Sequence, residues 1–405
     1  MKKKIILIVL IAVAAIVLGG GYLLYQRYYG GATKFDIVTA PSVTYDQRKT
    51  ASDHGIVSDY LWMRTKELML GKDGDSLLIP SSYMIAGRLS YQDAASSEEY
   101  LLSDQGLLLE MYVRRGDRIA ALRLRDEIFE HFNFEEESNS ELSSFLSSYL
   151  YYYVAYGSVK DLDRIEEITN ILFDEEGNLR EETLSVAVYE QGSFYSTEEL
   201  GDGSVSSLEQ GTNQEDIEYS AITGVEISSI DLRLIRNLEN NGLLPEGSFD
   251  RNLELVLGAK ISGSIPLYAY AYADGIYVYS HDVPAAVDIN ESVITMRHLS
   301  EVGNLPDDAF SWLKNQIINY GGISREYYYS YGSTQGEQAV DIYPDIMHLA
   351  LEIGDMDLYE RMCILEGSRV ATYSSSPALS MIYREDNGRF VFYARENLYV
   401  CLAVT

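Results

Sequence analysis

Five carboxylates in this sequence stand where a folded chain could use them for chemistry: Asp104, Glu141, Asp231, Glu291 and Asp341, each at or near the start of a helical pattern. A carboxyl that is shielded from water and crowded by other carboxylates holds its proton and can donate it to a substrate oxygen. The competing use is structural. Ser103 and Asp104 precede an apolar run, as helix caps do, and Glu141 is a first-turn glutamate that complements a helix dipole. Asp231, Glu291 and Asp341 have no motif behind them. Tyrosine is the other unusual resource, with 34 copies. Its flat apolar face and hydroxyl suit sugar rings, which makes Tyr91, Tyr149, Tyr152, Tyr268 and Tyr270 candidates to line a cleft. Core packing competes, because about half the positions of a helix or alternating strand face inward.

Composition narrows the chemistry. A formal charge of -31 excludes a nucleic-acid partner, since phosphate recognition needs a basic surface, and it favours a neutral ligand over an anionic polymer. Five scattered histidines, with no HExxH, CxxC or EF-hand loop, give no metal site, and nothing in the sequence calls for a cofactor. Cys363 and Cys401 are the only cysteines and fall on apolar helix faces. They read as two buried thiols, with a disulfide as the alternative.

The elements that must position these residues are mostly helical. Apolar residues at three and four spacing mark Ile56 to Leu70, Asp104 to Arg115, Asp117 to Phe132, Glu141 to Tyr156, Leu162 to Phe173, and Ser229 to Leu238. They continue at Asp250 to Ala259, Asn290 to Val302, Pro306 to Ile318, Glu337 to Ile353, Asp355 to Leu365, and Arg395 to Val404. Short turns such as Arg115-Gly116-Asp117 and Gly354-Asp355 join many of them as antiparallel pairs. Strand signals occupy the longer connections: Leu184 to Val188, and alternating runs around Asp274-Gly275 and Asn387-Gly388. Glu199 to Glu215 reads as an acidic loop. Twelve helices in pairs predict an all-α closed toroid of six hairpins with β-hairpin insertions. An open helical solenoid is the alternative, but no fixed repeat period supports it.

Several segments stand out in order along the chain. The first are Leu61-Trp62-Met63-Arg64-Thr65-Lys66 through Asp73-Gly74, Tyr100-Leu101-Leu102-Ser103-Asp104-Gln105-Gly106, and Arg115-Gly116-Asp117. Ser140-Glu141-Leu142 leading into Tyr149 to Gly157 follows, then Gly242-Leu243-Leu244-Pro245-Glu246 and Ile265-Pro266-Leu267-Tyr268. In order and spacing these segments resemble glycoside hydrolase family 8. The resemblance implies an (α/α)6 barrel with Asp104 at the position of the family's general acid, which is a glutamate there. Glu141 would be a second carboxylate on the same rim, and the tyrosines would line a glycan cleft. At the family's catalytic-base aspartate and its neighbouring arginine this chain has Ile261 and Ser264. Related (α/α)6 families such as glycoside hydrolase family 126 also depart at the base. Two functions therefore stay open: an inverting glycoside hydrolase acting on a neutral polysaccharide such as a glucan or exopolysaccharide, or an inactive glycan-binding or assembly protein.

Lys2, Lys3 and Lys4 precede an uncharged run from Ile5 to Tyr25, about 31 Å long as a helix and sufficient to span a bilayer. The lysines keep the first four residues cytoplasmic and place the rest outside. The expected organisation is a short tail over 1–4, a transmembrane anchor over 5–25, a linker over 26–50, and the barrel over 51–405. Signal cleavage and secretion is the alternative. The expected partners are a polysaccharide and, through the anchor, the lipid bilayer.

Overall fold

The computed structural model describes residues 35–70, 77–86, 93–188, 218–261, 265–279, 281–282, 286–328, 334–386 and 388–405. The proposed anchor over 5–25, Tyr91, Ser264 and the loop over 199–215 lie outside the described residues. No helix among the described residues is long and apolar enough to cross a membrane.

Six helices form an inner ring: α3 (Leu102–Arg114), α5 (Asn139–Tyr156), α7 (Leu232–Asn240), α9 (Ile289–Glu301), α11 (Tyr343–Ile353) and α13 (Ala394–Ala403). Six more pack outside it: α2 (Ser58–Met69), α4 (Arg118–His131), α6 (Val159–Leu172), α8 (Ser248–Gly258), α10 (Asp307–Asn319) and α12 (Met356–Gly367). Burial separates the two sets. The inner helix α3 buries residues on every side, from Leu102 round to Val113, whereas the outer helix α4 buries only the stripe Ala121, Leu124 and Ile128. A helix apolar all round belongs inside, and one with a single stripe belongs at the surface.

Each inner helix packs on the next, and α13 returns to pack on both α3 and α2, so the ring is closed rather than an open solenoid. The sheets complete the closure. Strands β1 (Ser82–Ala86) and β2 (Asp93–Ser96), from the first long connection, pair with β10 (Arg384–Asp386) and β11 (Arg389–Tyr393), from the last, in the order β10-β11-β1-β2. Ser82 lies opposite Tyr393 in that register. A second sheet joins β3 (Glu182–Val188), β4 (Glu218–Glu226), β5 (Ala271–Ala273) and β6 (Ile276–Val278). A third joins β7 (Ala286–Asp288), β8 (Ser324–Tyr328) and β9 (Thr334–Gln338). The two-residue turn at Asp274-Gly275 has both residues at positive φ, 51° and 82°, as a tight hairpin requires.

This layout gives the toroid two unlike ends. Connections from an inner helix to its outer partner are short, as at Gly116 and Gly354, whose φ values of 71° and 78° end their helices. Every described strand lies in a connection from an outer helix to the next inner helix. The strands therefore build a mouth at the end where the inner helices start, and the opposite end is closed by tight turns.

Two sequence expectations are corrected. The helical pattern from Glu337 is strand β9 and a short 3-10 turn until Tyr343, where Pro344 in the first turn fixes the helix start. The stretch read as linker up to residue 50 is ordered from Phe35. Residues 35–44 cross the closed end as an extended strap, followed by α1 (Tyr45–Asp53) with a full capping box between Thr44 and Gln47. Asn237 fixes the strap by accepting from the Val38 N–H at 2.7 Å and donating to the Val38 carbonyl at 3.0 Å. Phe35 meets Tyr153 edge-on at 4.8 Å. No helical or alternating period marks this segment, and its hydrogen bonds come from side chains about 200 residues away.

The tightest inner contact is between α3 and α5. A Cβ on Gly106 would lie 3.1 Å from the Phe145 Cα, which is backbone and cannot rotate away. Gly106→Val should therefore destabilise the domain by about 2–3 kcal/mol, read as a lower midpoint in chemical denaturation.

Candidate functional site

The ring encloses a small axial cavity of ≈ 70 Å³. Ser103, Leu107, Glu110 and Arg114 line it from α3 at helical spacing, so they form one stripe running from the mouth towards the closed end. Asp231 and Arg233, Arg297, His348 and Arg395 line it from the other inner helices, and Ala40 of the strap lines it from below. The channel is therefore open towards the mouth and plugged at its far end by the chain's own N-terminal segment.

Asp104 sits in the first turn of α3, next to the cavity-lining Ser103, and is 1% exposed. Neither of its carboxyl oxygens has a hydrogen-bond partner among the described residues. Burial pushes its pKa well above the ordinary aspartate range, the Glu141 charge adds to the rise, and Arg395 opposes it. An ionised carboxylate in that place would be buried without a partner among the described residues, so burial favours the neutral acid. It does not cap its helix, which has no side-chain cap from its own N-cap residue Leu101.

Glu141 supplies that cap instead. From the first turn of α5 its carboxylate accepts from the Ser103 N–H at 2.7 Å and the Ser103 hydroxyl at 3.0 Å. It thus satisfies an orphan donor of α3 and brings negative charge beside Asp104. The structure brings these two sequence candidates together at one point of the mouth.

Asp231 is the N-cap of α7, accepting from the Leu234 N–H at 2.8 Å, and it faces the same cavity. Below it lies a buried ionic network that the sequence reading missed. Glu301 accepts from Arg297 at 2.5 Å and from Arg233 at 3.1 Å, and His298 Nδ1 lies 3.3 Å from it. Arg297 also donates to Asp345 at 3.1 Å, and Arg233 to Glu352 at 2.6 Å. Burial alone would raise the Glu301 carboxyl, but Arg233 and Arg297 outweigh it and hold the pKa well below the usual range. Asp231, His298 and Glu301 bring ligand atoms within 4.8 Å of one another. The two arginines already neutralise Glu301, which makes the trio part of an ion-pair network rather than a cation cage. These groups recur at i and i+4 spacing on α9, but no local motif marks them, since their partners come from α7 and α11.

A second constellation lies on the rim between the mouth sheets. His281 Nδ1 is 3.3 Å from Glu291, and the His281 ring stacks on Tyr270 at 4.1 Å. Burial works against the His281 charge, but Glu291 and Asp282 outweigh it and push its pKa up to about 9. Burial pushes Glu226 up to about 7, and burial with the nearby Glu291 pushes Asp288 up to about 8. Asp341, by contrast, is held below the usual range because Arg384 and Arg325 outweigh its burial. For Glu226 the folded state binds the proton more tightly than the unfolded chain between its ordinary 4.5 and about 7, so stability falls as pH rises through that window. Glu226→Gln should gain about 2 kcal/mol relative to wild type between pH 5 and pH 8. A denaturation series at both pH values reads this, and a gap that does not change with pH would refute it.

The tyrosine candidates separate. Tyr149 is fully buried and its hydroxyl donates to Asp161 of α6 at 2.7 Å, so it faces the inner–outer helix interface rather than the cavity. Tyr152 is buried beside it, with its hydroxyl 3.0 Å from Arg125. Tyr268 is also fully buried, with its backbone N–H on the Ser292 hydroxyl at 3.0 Å. Tyr270 reaches the rim through its stack on His281. Ile261 is buried in the core. Cys363 and Cys401 are free and buried, as expected from their apolar helix faces.

No protein-family model and no curated protein sequence matches the chain. Solved structures do. An alpha-amylase from Clostridium perfringens superposes with a TM-score of 0.63 at 16% identity, covering 90% of this chain and 98% of the other. A beta-1,3-1,4-glucanase from Paenibacillus sp. X4 gives 0.50 at 10% identity over 94% and 97%. An inactive variant of an alpha-1,6-mannanase from Salegentibacter sp. HEL1_6, in complex with alpha-1,6-mannotriose, gives 0.51 at 12% identity over 87% and 98%. The chain thus shares the (α/α)6 fold of these glycoside hydrolases, at sequence identities that speak to fold alone.

Proposed function

We propose that this chain is a glycoside hydrolase, held on the extracytoplasmic side by the hydrophobic segment over 5–25, that cleaves a neutral polysaccharide with Asp104 as the proton donor. The observation that carries the reading is the setting of Asp104: a buried carboxyl with no hydrogen-bond partner among the described residues, beside the cavity-lining Ser103, with its pKa raised by burial and by Glu141. Glycoside cleavage needs such an acid to protonate the leaving oxygen, and in an inverting enzyme a carboxylate across the cleft to activate water. Asp231 is the candidate base. It faces the axial cavity. The charge of -31 supports a neutral polymer, and the mannotriose held by the mannanase supports an oligosaccharide ligand.

Ile261 favours a second reading. A buried isoleucine at the position that resembles the family's base, with Glu141 engaged as a cap, fits a barrel that binds glycan without cutting it. The two readings separate on one experiment. The domain over 35–405 is incubated with a panel of neutral polysaccharides, and both bound polymer and new reducing ends are measured. Release of reducing ends supports the hydrolase, and binding without release selects the second reading.

A further inference from the structure

We infer that the closed end of the toroid is its membrane-facing surface, so that the mouth opens away from the bilayer. The inference rests on the anchor reading above, and the structure adds the geometry. The chain enters the domain at Phe35, against Tyr153 in the last turns of α5, and runs along the closed end through Val38 and Ala40. Nine residues, 26–34, separate this entry point from the end of the hydrophobic segment. Fully extended, the connection reaches at most about 36 Å. The entry point on the closed end therefore cannot be farther than that from the bilayer, and the mouth lies about 27 Å from the closed end along α5.

The closed end also carries apolar side chains at its surface. Val38 of the strap and Ile119, Val154, Val159, Ile353 and Met356 beside the tight turns are all exposed apolar side chains, between 40% and 74% exposed. Apolar side chains on the face nearest a bilayer can rest in its interfacial layer. The occupant proposed for this face is a zwitterionic bilayer surface, since a chain of charge -31 gains nothing from anionic headgroups. The mouth then meets polysaccharide already outside the membrane, rather than a strand emerging beneath it.

The full chain can be tested in phosphatidylcholine vesicles carrying a headgroup acceptor dye. A donor dye is placed on Ile119→Cys at the closed end or on Glu98→Cys at the mouth, both exposed positions, while Cys363 and Cys401 are buried and spared. Energy transfer should be at least twofold stronger from position 119. Equal or reversed transfer overturns the orientation. Equal transfer with self-association of the domain over 35–405 would assign the apolar turns to a second copy instead. Failure of the chain to float with vesicles overturns the anchor reading, and this inference with it, leaving the hydrolase reading to its own assay.

Discussion

Asp104→Asn should lower kcat on the best polysaccharide by about 10²–10⁴-fold and leave polysaccharide binding unchanged. The substitution keeps the shape of the neutral acid and removes only the transferable proton. Because neither carboxyl oxygen bonds to a described residue, the amide costs no hydrogen bond in the resting state. A structural aspartate would behave differently: with a packing role alone, Asn at this position would keep full activity. The pH profile carries a second signature. Burial raises the Asp104 pKa, so activity should fall on the alkaline side as pH rises through that raised value, and the Asn variant should lose this limb. Asp231→Asn should also lower kcat, because the carboxylate proposed to activate water is then missing. Steady-state rates across pH with binding measured in parallel check all three statements.

Glu301→Gln should destabilise the domain by about 3–5 kcal/mol. Its carboxylate, in the last turn of α9 and so towards the closed end, sits between Arg233 and Arg297. Removing its charge leaves two buried guanidinium groups with one shared anion fewer, although Asp345 and Glu352 still hold one each. The sign with pH follows from the depressed pKa. Glu301 contributes its stability above the ordinary carboxylate pKa, and that contribution is lost as pH falls through its much lower folded value. The penalty of the substitution should thus be full at pH 7 and shrink in strong acid. Urea denaturation at pH 7 and pH 4 measures it, and a penalty below 1 kcal/mol at pH 7 would show that the network is not a stability element.

Much of the architecture was legible because it is written in local periodicity. The helices carry apolar residues at three and four spacing, and glycines such as Gly116 and Gly354 mark the turns between them. Hairpins at Asp274-Gly275 were legible for the same reason: the turn needs positive φ at both positions. What escaped was non-local. The strap over 35–44 lacks a regular period and reads as a tether, yet Asn237 on α7 and Asn241 just after it hold its backbone. Tyr149 looks like a cleft residue from its motif, but its direction is set by Asp161 on the neighbouring outer helix. In the site itself, a helix-start acid was visible at Asp104. That its cap is Glu141 from another helix, leaving Asp104 without a partner, depends on the packing of α5 against α3.

The central claim is that Asp104 is a protonated donor at neutral pH, and it can be read directly. An infrared difference spectrum at pH 7 between wild type and Asp104→Asn should show the loss of a protonated carboxylic-acid carbonyl band, with the carboxylate bands unchanged. Loss of a carboxylate band instead would mean that Asp104 is ionised at rest, which would contradict the account.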